Sequence, residues 1–70
     1  MKLAEFETVR LLKSYPKEDL KVGDVGVVIM VYTNPNEAYE IEFVDTNGRT
    51  KAQLTLLPNE IEKYHESKKN

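Results

Sequence analysis

Apolar and polar positions alternate along most of this chain, and the one stretch where they do not is its most informative. Residues 38–45, Ala-Tyr-Glu-Ile-Glu-Phe-Val-Asp, put Tyr39, Ile41 and Phe43 on one face and Glu40 and Glu42 on the other. A period of two predicts a half-buried strand. Residues 49–56 answer with Ala52, Leu54 and Leu56 inward and Lys51, Gln53 and Thr55 outward. Between the two runs, Asn47-Gly48 predicts a tight hairpin, because both residues tolerate the positive φ of a type I′ turn. Residues 6–12 predict a further strand, with Val9 and Leu11 buried and Glu7, Thr8 and Arg10 near solvent. The exception lies in the strand predicted at about 25–33, where Val27 to Tyr32 runs without a polar side chain. A strand wetted on one face should not read this way. Its second face is either covered by the protein itself or kept for a partner.

The connections between these strands carry turn chemistry. Lys13 to Asp24 is a polar loop, and Pro16 to Leu20 within it has the makings of one helical turn with proline at its first position. Leu20 and Val22 are expected to pin that loop to the core. Asn34-Pro35-Asn36 predicts a chain reversal. After Leu57-Pro58, Asn59 is placed to cap a short helical turn running through Tyr64, with Ile61 and Tyr64 three residues apart and both touching the barrel. The domain is expected to span residues 1–64, and residues 65–70 read as a flexible, solvated tail. Four or five short strands with one long early loop predict a small, strongly bent, half-open barrel. Its central strand would be shared by two sheets, with Gly23 and Gly26 placed at the bend.

Composition narrows the setting. A chain of 70 residues makes one domain with a thin stability margin. It has no cysteine, so disulfides and thiolate metal sites are excluded and a reducing, cytoplasmic location is expected. No apolar run reaches the length of a membrane span, and the N-terminal residues lack the hydrophobic segment of a signal peptide. Twelve acidic residues against ten basic ones give a net charge of −2, which disfavours nucleic acid as a partner. The best basic face for that alternative would combine Arg10, Lys13, Lys17 and Lys21.

Candidate chemistry is sparse. The single histidine, His65, stands in the tail, far from the fixed and partly desolvated setting that a catalytic base needs. There is no metal-ligand spacing, and no cofactor is expected. Glu40 and Glu42 share a strand face with Glu37 and Asp45 nearby. Such a stripe suits a solvated surface, paired across the hairpin with Lys51, or a contact for a basic protein better than acid and base catalysis. Val22-Gly23-Asp24-Val25-Gly26 lacks the spacing and the following helix of a phosphate loop, and Asp24 would repel phosphate. Of the aromatic residues, Tyr39 and Phe43 follow the inward parity of the core. Tyr15 and Tyr32 are expected near one rim with Met30, a composition that suits the centre of an interface as well as incidental exposure.

One resemblance sharpens the picture. The Leu20-Lys21-x-Gly23-Asp24-x-Gly26 motif, the Val31-Tyr32 ending of the apolar run, the strand at 38–45, the Gly48-Arg49-Thr50 turn and Leu54-Thr55-Leu56 together resemble a bacterial family known as domain of unknown function 4926. The match covers roughly residues 9–61. It implies an SH3-like barrel, which together with the residue pattern gives the expectation of an all-β, five-stranded half-open barrel with a short helical turn near its C-terminus. It further implies a gene often placed beside that of another small protein, in the arrangement of toxin and antitoxin pairs. The family pattern has a threonine near position 27 and an acid near 30, where this chain has Val27 and Met30, and that departure favours an exposed apolar surface. The expectation is therefore a non-enzymatic protein-binding module, the antitoxin or accessory partner of a neighbouring-gene protein. Tyr15, Val28, Met30 and Tyr32 are expected to give its apolar contact, and Glu37, Glu40 and Glu42 its orientation. The alternatives are a nucleic-acid-binding barrel and a homodimer formed through the apolar strand.

Overall fold

The computed structural model describes residues 2–65. Five antiparallel strands form one sheet in the order β4-β3-β2-β1-β5. They are β1 (Thr8–Leu11), β2 (Val25–Tyr32), β3 (Ala38–Val44), β4 (Thr50–Leu56) and β5 (Ile61–Lys63). This is the expected all-β, SH3-like half-open barrel, with β4 and β5 as its unpaired edges. The end of the tail expected at 65–70 lies outside the described residues, apart from His65, which is exposed.

The alternating patterns translate directly into burial. Val9 and Leu11 of β1, Tyr39, Ile41 and Phe43 of β3, and Ala52 and Leu56 of β4 all enter one core, joined by Leu3, Leu20, Val28 and Ile61. In the long loop, Pro16–Glu18 makes a single 3-10 turn with proline at its start, and Asp19 closes it in the left-handed region at φ 59°. Tyr15 and Leu20 then pair through their backbones, which turns the buried Leu20 inward. Val22 is a correction. It is 60% exposed, because Lys21 to Asp24 form a tight turn with Val22 at the tip and Gly23 at φ 94° behind it.

The hairpin between β3 and β4 forms at the expected place with different turn geometry. Asn47 does not adopt positive φ, and Gly48 alone does, at 81°. Asp45 decides this: its carboxylate accepts the N–H groups of Asn47 (2.8 Å) and Arg49 (3.0 Å), stabilising a wider turn than the two-residue type I′ form. The reversal at Asn34-Pro35-Asn36 also forms, with a cis Asn34-Pro35 bond.

Beyond β4 the expected helical turn is shorter than its sequence pattern suggests. A 3-10 turn covers only Pro58–Glu60, and its first position is proline rather than a residue capped by Asn59. Ile61–Lys63 is then a strand, pairing Val9 with Lys63 and Leu11 with Ile61. The free edge of β1 offers backbone partners there, and Ile61 is fully buried as a result. Three residues are too few to alternate visibly, so the helical spacing of Ile61 and Tyr64 was the stronger local signal.

The irregularity in the central strand is a bulge away from the glycines expected to bend it. Across β2 and β3 the register shifts between Val28 and Met30, which leaves Ile29 as an extra residue on β2. Ahead of this bulge β2 pairs with both β1 and β3, and beyond it with β3. Gly26 serves close packing instead: a Cβ there would lie 2.7 Å from Ile41 Cγ2 and 2.9 Å from the Glu42 carbonyl.

Candidate protein-binding surface

The bulge at Ile29 answers the question raised by the apolar run. Ahead of it Gly26 and Val28 point inward, and Val25 and Val27 outward. Past it the parity flips, so Val31 packs on the core while Met30 faces solvent, 49% exposed. Val28 and Val31 of the run therefore turn to the core. Val27 and Met30, with Val25 ahead of the run, form a column along the outer face of the sheet, with exposed Val44 beside Val25.

Several expected site residues move accordingly. Val28 is fully buried and leaves the candidate surface, because it lies on the inward parity ahead of the bulge. Tyr15 is on the other side of the sheet, packed against the core beside Leu54, so it does not share a rim with Met30. Its hydroxyl is enclosed without a hydrogen bond, and burial followed by the adjacent Glu60 carboxylate pushes its pKa up to about 12. Tyr32 is half-buried at the end of the column and donates its hydroxyl to Glu40 at 3.4 Å.

The acidic stripe contracts to two residues. Glu37 has the inward parity of Tyr39 and accepts that residue's buried hydroxyl, which also accepts the Leu3 N–H at 3.2 Å. Glu40 and Glu42 remain beside the column, paired in register with Met30 and Val27. Glu40 accepts hydrogen bonds from Thr55 (2.5 Å) and Gln53 (3.0 Å) as well as Tyr32. The first two hold its carboxyl below the ordinary glutamate value against partial burial. Glu42 accepts the Thr50 hydroxyl at 2.5 Å. All these donors are neutral. Lys51, the cation expected opposite, reaches Asp19 instead at 3.7 Å, because it is itself an extra residue where the register of β3 and β4 shifts.

The opposite flank differs in charge. On the β1 and β5 side, Arg10 pairs with Glu62, and Lys63 with Glu7 at 3.0 Å. Lys13 pairs with Glu60 at 3.6 Å, so two of the four cations of the basic alternative are already engaged. Among the described residues there is no cluster of three or more His, Asp or Glu side chains able to hold a metal ion. No helix among them is long and apolar enough to cross a membrane.

Phe6 is the residue that sequence reasoning missed. Placed by its pattern at the start of a strand, it occupies the third position of an Ala4–Glu7 turn at φ 72°, with the Glu7 N–H donating to the Ala4 carbonyl at 3.2 Å. Its own N–H donates to the Val28 carbonyl at 2.7 Å, and the Val28 N–H donates to the Glu7 carbonyl at 2.9 Å. Two residues thus face one, in the bulge whose first position ordinarily holds glycine. A bulky side chain there is a genuine outlier, and this one is 76% exposed. No propensity signal marks it, since Ala-Glu-Phe-Glu carries none of the usual turn residues.

A small half-open barrel with an apolar column on one outer face, flanked by two glutamates that accept hydrogen bonds from neutral side chains, defines a class of compact β module with a solvent-facing sheet. The chain itself belongs to the family described as domain of unknown function (DUF4926), whose model matches residues 5–63. No curated protein and no solved structure matches it.

Proposed function

We propose that the protein is a non-enzymatic binding module whose ligand is another protein, docked on the outer face of β2. The observation that carries this reading is the exposed column of Val25, Val27 and Met30. Aliphatic side chains lined up on the solvent face of a sheet are unfavourable in water, and burying them is the main source of affinity between proteins. Glu40 and Glu42 beside the column add orientation and on-rate toward a basic partner. A toxin encoded beside this gene, neutralised by occlusion, is the first partner to test, because the family resemblance implies that gene arrangement.

Co-expression with the neighbouring gene's product tests this directly. The two proteins are expected to co-elute as a complex, and the double variant Val27→Glu/Met30→Glu is expected to abolish co-elution while keeping the fold, since both positions are exposed. Co-elution that survives both charges would refute docking on this face.

A further inference from the structure

Asn47 in the β3–β4 turn is the one asparagine of this chain that precedes a glycine. Such a pair carries a reaction of its own. The glycine nitrogen, once it has lost its proton, can attack the asparagine Cγ, and no side chain on the glycine hinders the approach. Asn34 precedes Pro35, whose nitrogen has no proton to lose, and Asn36 and Asn59 precede glutamates, whose side chains crowd the nitrogen. The turn is open to water: residues 44–51 are all exposed, and a Cβ built on Gly48 would meet nothing within 4 Å. Yet its backbone is tied down. The Gly48 N–H donates to the Asp45 carbonyl at 3.0 Å, and the Asp45 carboxylate accepts the Asn47 N–H at 2.8 Å and the Arg49 N–H at 3.0 Å. A bonded N–H gives up its proton less readily, and a carboxylate bonded to the N–H groups on either side opposes the negative charge that would form on the Gly48 nitrogen.

We propose that Asn47 is a self-modification site, converted through a cyclic imide with Gly48, and that Asp45 gates the conversion by holding the turn closed. The Gly48 nitrogen gives its proton to water or hydroxide and bonds to Asn47 Cγ. The Cγ–Nδ2 bond then breaks, and ammonia leaves with a proton taken from water. A second water opens the ring. Cleavage at Cγ gives an ordinary aspartate, and cleavage at the backbone carbonyl carbon of residue 47 gives a β-linked one, whose main chain runs through Cβ and Cγ. Water is the only co-reactant. Both products bring a new carboxylate next to Asp45, and the β-linked one also adds a carbon to the main chain between the two N–H groups that the Asp45 carboxylate spans. Conversion therefore loosens the β3–β4 hairpin. It proceeds in the fraction of molecules whose turn has opened, an event that exposed turns undergo far more readily than the core. The site stands apart from the outer face of β2 and does not depend on what docks there.

Peptide mass spectrometry, with fragmentation that separates aspartate from its β-linked form, follows the reaction in the intact protein incubated at neutral pH well below its melting transition. Conversion is expected at Asn47 ahead of Asn36 and Asn59, and more slowly in buffer than in denaturing urea, where the turn is lost. Asp45→Ala, verified as folded by circular dichroism, should speed it about fivefold in buffer, the change in an opening equilibrium that follows from losing such a turn contact, and leave the rate in urea unaltered. Ile61→Ala, which weakens the core without touching the turn, should keep the wild-type rate in the folded protein. Gly48→Ala, compared in urea where the positive φ of residue 48 no longer matters, should lose most of the conversion. No preference for Asn47, or conversion undiminished by Gly48→Ala, overturns the site. A wild-type rate as high in buffer as in urea, an unaltered rate in Asp45→Ala, or equal acceleration by Ile61→Ala overturns the gate.

Discussion

Phe6 and Gly26 occupy each other's expected conformations. The glycine sits in ordinary strand geometry, and the phenylalanine in the left-handed region. Gly26 is held to its type by space alone. Gly26→Ala should cost about 1–3 kcal/mol in urea denaturation, because one of the contacts that a Cβ would make is to backbone and cannot turn aside. Tyr15 gives a pH prediction. Its folded pKa of about 12 lies above its ordinary value of 10, so the stability it contributes is intact below pH 10 and is lost as pH rises toward 12. Tyr15→Phe should be neutral or slightly stabilising at pH 7, since it removes an enclosed and unbonded hydroxyl, and should make the alkaline fall in melting temperature shallower. Some of that fall will remain, because burial, followed by Glu37, also raises the Tyr39 hydroxyl. Glu40 has the opposite sign. Its depressed pKa adds stability above the unfolded value of 4.5 that is lost as pH falls through the folded value, so Glu40→Gln should flatten the acid limb of a pH–stability curve. Most of these environments are invisible in the sequence, because they depend on distant neighbours: Ile41 and Glu42 for Gly26, Glu60 for Tyr15, Thr55 and Gln53 for Glu40.

At the scale of elements, the four longer strands were legible, and the register shifts and the short fifth strand were not. Tyr39, Ile41 and Phe43, with Ala52, Leu54 and Leu56 opposite, announce a hairpin because a period of two needs only a single buried face to enforce it. The register shift at Ile29 leaves no such trace. An apolar residue is acceptable on either side of it, so the uninterrupted run from Val27 to Tyr32 concealed which half is core. The candidate site inherits that ambiguity: Met30 was placed correctly in solvent, while Val28 was not. The β3–β4 turn depends on Asp45 more than on Asn47, so Asp45→Ala should cost about 1 kcal/mol while Asn47→Ala has little effect, measured by chemical denaturation. The short strand β5 was invisible for want of length, yet it seals the core through Ile61. Ile61→Ala should cost about 3 kcal/mol.

For the whole molecule that last figure is large. A domain of 70 residues commands about 4–10 kcal/mol of stability at typical values per residue, so Ile61→Ala should leave a detectable unfolded fraction at 37 °C. Against so thin a margin, an exposed aliphatic column is a feature that folding alone does not favour, and the partner reading gives it a use. The most direct test of that reading places photoreactive benzoylphenylalanine at Val27 or Met30 in the cell that encodes the protein, with Lys17 on the far loop as control. The account predicts one discrete protein adduct from positions 27 and 30 and none from position 17. No adduct at the outer face of β2, or the same adducts from all three positions, would contradict it.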